Sequence, residues 1–118
     1  MKKVLVAEDE ESIREFIVIN LTRSGYTVEQ AENGAVALEK FAKDESGFDV
    51  AILDIMMPEM DGYEASRQIR AINRPDAKTV PIIALTANAF TEDALRAAEA
   101  GMDAHMTKPF DFDKLKKC

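Results

Sequence analysis

Two kinds of apolar pattern alternate along the chain. Lys3 to Ala7, the run through Phe48 to Pro58, and Pro81 to Leu85 hold short apolar stretches without strict alternation, rich in Val, Ile and Leu. This is the pattern of strands buried on both faces, which belong to parallel sheets. Tyr26 to Ala31 alternates weakly and predicts a second strand, and Ala104 to Thr107 a short fifth one. Between them apolar residues recur at helical spacing. Ser12-Ile13-Arg14-Glu15 has the spacing of a capping box, opening a helix with Ile13, Phe16, Ile17 and Leu21 inward and Gly25 as its stop. Val18 falls off that stripe, either a lone exposed residue or part of a docking face. Asn33-Gly34 could form a hairpin turn, but Val36, Ala37, Leu38 and Phe41 continue as an amphipathic helix, so Asn33 is taken as its N-cap.

Asp44 to Gly47 is a loop, and Pro58 to Gly62 a turn. A helix is expected over about 63–72, with Ala65, Ile69 and Ile72 inward, followed by a polar loop from Asn73 to Thr79. Thr91 caps a helix that Gly101 ends; Lys108-Pro109 closes the last strand and residues 112–117 form a helical stub. Strand and helix thus alternate five times, which predicts an α/β fold, a doubly wound parallel sheet with helices on both faces. No linker or repeat divides it, so residues 1–118 are expected to form a single domain.

Composition narrows the function. A formal net charge of −7 argues against a direct nucleic-acid surface, because phosphate binding needs a basic face; Lys114, Lys116 and Lys117 are too few to reverse it. The acids Glu8 to Glu11 end the first apolar run, so no export signal is expected. No run approaches the ~18 apolar residues of a membrane span. The single cysteine, Cys118, cannot form an internal disulfide. A cytoplasmic protein without membrane contact is expected.

The strand exits carry the chemistry. Strand one ends in Glu8 and Asp9, strand three in Asp54, strand four in Thr86 and strand five in Lys108. In a parallel sheet these exits share one edge, where open α/β sheets bind ligands. Clustered carboxylates repel unless a cation compensates them, and hard oxygen donors suit Mg²⁺. An acid so compensated, beside a lysine and a hydroxyl, can accept a phosphoryl group: Asp54 attacks while Thr86 and Lys108 meet the phosphoryl oxygens. Singly each signal is weak, since acid pairs usually face solvent, a threonine is more often a cap and a lysine a surface charge.

The ordered set Glu8-Asp9, Asp54-Ile55-Met56-Met57-Pro58 with Asp61-Gly62, Leu85-Thr86-Ala87 and Lys108-Pro109-Phe110 resembles the receiver domain of bacterial two-component response regulators, over the whole chain. The resemblance implies a flavodoxin-like sheet in the order 2-1-3-4-5. It also implies phosphotransfer to Asp54 from a histidine kinase or histidine phosphotransfer protein. Mg²⁺ would be held by Asp9, Asp54 and the Met56 carbonyl, with Glu8 assisting through water. Thr86 would be both phosphoryl contact and switch. A phosphoacceptor that assists its own phosphorylation is implied, not a turnover enzyme, and a monomer or weak dimer.

Three departures from the family pattern stand out: Glu8 where Asp is frequent, His105 where an aromatic switch residue is common, and an early end at Lys117-Cys118. The stretches Ile83 to Ala89 and Gly101 to His105 are similar to receivers fused to hybrid histidine kinases, so the chain is either a free-standing regulator or an excised module. A flavodoxin-like electron carrier would need a phosphate loop where Glu8 to Glu11 stand. A haloacid-dehalogenase-like phosphatase would need an acid two residues after its nucleophile, where Met56 stands. A pseudo-receiver that only binds partners is the third rival, disfavoured by the complete acid, threonine and lysine set.

Overall fold

The computed structural model describes residues 2–44, 46–86 and 91–107, excluding the side chains of 91–94 and 107. The elements run β1 (Lys3–Ala7), α1 (Glu11–Arg23), β2 (Thr27–Ala31), α2 (Gly34–Lys43), β3 (Val50–Asp54), α3 (Gly62–Ala71), α4 (Pro75–Thr79), β4 (Ile82–Thr86), α5 (Thr91–Glu99) and β5 (Ala104–Thr107). All strand pairs are parallel, in the order β2-β1-β3-β4-β5. The sheet is the doubly wound one that the alternation predicts.

Why the central strands lack strict alternation is visible in the two cores. Leu5, Ala7, Ala51, Leu53, Ile82 and Ala84 pack with Ala37, Phe41, Ala65 and Ile69 on one face. Val4, Val6, Ile52, Ile83, Leu85 and Met106 pack with Ile17 and Leu21 on the other. Side chains alternate between faces, but both faces are covered, so every position must be apolar.

Four local expectations are corrected. The Ser12 capping box does not open α1: the N-cap is Glu10, without a side-chain hydrogen bond, and Ser12 lies inside the first turn. Phe16 points out, 51% exposed. With about 100° per residue, a core face centred between Ile17 and Leu21 leaves Phe16 some 120° away. Val18, at about 80°, is half-buried, while the exposed Ile19 shares the outer surface with Phe16. The segment after α3 is not all loop, because Pro75 starts the short helix α4 at a position that loses no amide bond. Asn33 does cap α2, accepting from the Val36 N–H at 2.8 Å. Gly25 (φ +95°) ends α1 in a Schellman motif, with Tyr26 N–H donating to the Leu21 carbonyl and Gly25 N–H to that of Thr22, both at 3.1 Å.

Candidate functional site

Parallel pairing places the exits of β1, β3 and β4 on one edge. Ala7 is in register with Leu53 and Asp54 with Leu85, so Glu8, the next residue after Ala7, arrives level with Asp54. Thr86 closes β4 one step further on, and Ile55 N–H donates to the Leu85 carbonyl at 3.1 Å, holding the two exits together. Glu8, Asp9 and Asp54 each bring a carboxylate oxygen within 4.8 Å of the other two, a group that could close on one metal ion. Glu8 and Asp54 are buried and Asp9 is exposed, which gives the cluster one wall open to solvent. Thr86 is buried beside them at the same edge. Lys108 lies outside the described residues.

Burying carboxylates costs several kcal/mol each unless donors or a cation compensate. Backbone donors supply part of this: Met56 N–H reaches Asp54 Oδ1 at 3.0 Å and Glu10 N–H reaches Glu8 Oε1 at 3.2 Å. A divalent cation suits the same cluster, since the donor set consists of hard oxygens and Asp9 faces water that could complete a shell. Asp9, Met56, Met57, Pro58 and Asp61 line one open depression over this edge.

The loop from β3 to α3 is fixed by a helix cap and two close glycine approaches. Asp61 caps α3 by accepting from the Glu64 N–H at 2.9 Å. Gly62 sits against the strand end so closely that an added Cβ would stand 2.4 Å from the Asp54 carbonyl oxygen. Gly34, at the start of α2, presses on the same loop: its N–H donates to the Met60 carbonyl at 3.0 Å, and a Cβ there would meet that oxygen at 2.1 Å. Glu59 takes φ 68°, with Met60 N–H donating to the Pro58 carbonyl across it at 2.7 Å. A glycine placed directly after a capping Asn or Asp, at the first position of a helix, is the signal that marks both close approaches.

His105 lies on the edge strand β5 with its ring exposed. Met56 is the most exposed large apolar side chain among the described residues, at 76%. Among the described residues no helix is long and apolar enough to cross a membrane.

Residues 4–118 match the family model described as the response regulator receiver domain. The chain is 37% identical to response regulator ArlR of Staphylococcus epidermidis over 98% of its own length and 49% of that protein's; it spans about half the length of the relatives of this kind. Among solved structures it is similar to the chemotaxis protein CheY4 of Vibrio cholerae, with TM-score 0.89, 36% identity, and 99% of this chain and 94% of that one covered. It is also similar to the receiver domain of sensor histidine kinase PA1611 of Pseudomonas aeruginosa, whose active-site cleft coordinates a magnesium ion, with TM-score 0.86, 34% identity, and 98% and 92% covered.

Proposed function

The chain belongs to the response regulator receiver domain family, and from that premise we propose that it is a phosphorylation-activated switch that takes a phosphoryl group onto Asp54. The observation that carries the reading is the meeting of the Glu8, Asp9 and Asp54 carboxylates within 4.8 Å at the sheet edge. Asp9, Asp54 and the Met56 carbonyl would hold Mg²⁺, with Glu8 assisting through water. Bound there, the cation would offset the negative charge that repels a phosphoryl donor.

Asp54 is the nucleophile because it ends the central strand and is oriented by the Met56 N–H. One of its oxygens attacks phosphorus in a phosphohistidine of a histidine kinase or histidine phosphotransfer protein. The P–N bond breaks, its electron pair returns to the imidazole, and solvent supplies any proton the ring then needs. Thr86 and Lys108 take up phosphoryl oxygens. The event alters partner binding, with the donor consumed stoichiometrically. In this reading the His105 ring turns inward as Thr86 moves toward the phosphoryl group, a shift its NMR signals would report. A cytoplasmic setting and a single domain over residues 1–118 belong to the same reading.

The alternative of a module from a hybrid histidine kinase draws on the similarity to the PA1611 receiver domain. It uses the same site chemistry and differs only in what the domain is joined to. Incubation with acetyl phosphate and Mg²⁺ tests the reading by intact mass. One added phosphoryl group is expected in the wild type and none in Asp54→Asn; equal modification of both would refute it.

A further inference from the structure

Arg14 occupies a place that helix electrostatics disfavours. It is in the first turn of α1, where the positive end of the helix dipole repels a cation, and α1 has no side-chain cap to compensate. Its side chain instead reaches back out of the helix. Nη1 donates to the Glu8 backbone carbonyl at 2.8 Å and Nε to Gln30 Oε1 at 3.2 Å. Gln30 is on β2 and Glu8 immediately follows β1, so one rigid guanidinium ties together the helix start, the neighbouring strand and the acid pair. The Glu8 N–H is fixed from the same side, donating to the Ala31 carbonyl at 3.1 Å.

We infer that Arg14 is a positioning residue for the Glu8-Asp9 acid pair, holding the peptide between them so that both carboxylates stay within reach of Asp54 and of a shared cation. The inference rests on the metal reading above only for its second readout. Two physical effects make opposite forecasts. As a nearby positive charge Arg14 opposes cation binding, so its removal by Coulomb's law alone would tighten Mg²⁺. As a clamp it reduces the ordering that binding must impose, so its removal would weaken Mg²⁺. Two directed hydrogen bonds, one of them to the Glu8-Asp9 peptide itself, favour the clamp over the charge effect.

The test compares Arg14→Ala, Arg14→Lys and Gln30→Ala with the wild type. In metal-free protein, Arg14→Ala should speed amide exchange at Glu10, whose N–H is held by Glu8 Oε1, in a domain that still melts cooperatively. Titration with MgCl₂ by calorimetry should show the dissociation constant raised about ten-fold, the low end for loss of a group supporting metal ligands. Arg14→Lys, which keeps the charge and one donor, should recover most of both. Gln30→Ala leaves α1 intact and should shift both readouts the same way by less, which keeps the test decisive if Arg14→Ala fails to fold. Unchanged Glu10 exchange in the variants, or tighter Mg²⁺ in Arg14→Ala, would overturn the clamp. A wild type that takes up no Mg²⁺ contradicts the metal reading instead, and the exchange arm still decides the role of Arg14.

Discussion

Gly62 presses on the Asp54 carbonyl, and its replacement by alanine sets two effects against each other. Alanine favours a helix over glycine by about 1 kcal/mol, whereas forcing a methyl into occupied space costs typically about 1–3 kcal/mol, occasionally more. The contact is with backbone at 2.4 Å, which cannot rotate away, so overlap wins. Gly62→Ala should lower the denaturant midpoint and slow phosphorylation by acetyl phosphate, because the displaced atoms belong to Asp54 itself. A more stable variant would show that the loop yields easily.

Asp76 is legible in solution at the same scale. The paired hydrogen bonds from Arg74 at 2.6 and 2.9 Å hold its carboxyl below the ordinary carboxylate range. A lowered native value means that the pair stabilises the fold above the unfolded carboxyl's titration and that this is lost as pH falls through the lower native one. The gain is small because the carboxylate is 36% exposed. Arg74→Ala should move the Asp76 titration, followed by NMR, back upward; an unmoved titration would deny the pairing.

Among the elements, β1 and β4 were legible almost to the residue and β3 at its last residue, because burial on both faces forces an unbroken apolar run that few other structures share. The cap of α2 was legible for an equally local reason, the Asn33 side chain bonding its own third neighbour. The start of α1 was not, because the Ser12 and Glu15 spacing fits a capping box while tertiary contacts at Glu8 and Gln30 set where the chain turns. Nor was the outward turn of Phe16, since periodicity gives a stripe but the centre of the buried arc depends on which strands it meets. That turn has a consequence: Phe16 and Ile19, 51% and 50% exposed, form the apolar outer surface of α1. Under the proposed function this surface is the expected docking site for a histidine phosphodonor protein. Phe16→Asp with Ile19→Asp should slow phosphotransfer from such a protein at least several-fold while leaving acetyl phosphate labelling unchanged. Equal slowing of both reactions would place the damage in the fold.

Over the whole molecule, parallel pairing does the work that no single motif does. The acid pair, Asp54 and Thr86 are far apart in sequence, yet register alone brings their strand ends to one edge. That convergence was readable from the order of strands, whereas the loop that seats Asp54 depends on Gly34 and Gly62, contacts between segments with no sequence period. The arrangement leaves Asp54 as the acid that ends the central strand, with Asp9 and Asp61 as its acidic neighbours around the open depression. Chemical trapping distinguishes them. Borohydride reduces an aspartyl phosphate to homoserine, which peptide sequencing by mass spectrometry then locates. After labelling with acetyl phosphate and Mg²⁺, homoserine is predicted at position 54; homoserine at 9 or 61 with an unmodified Asp54 would contradict the account.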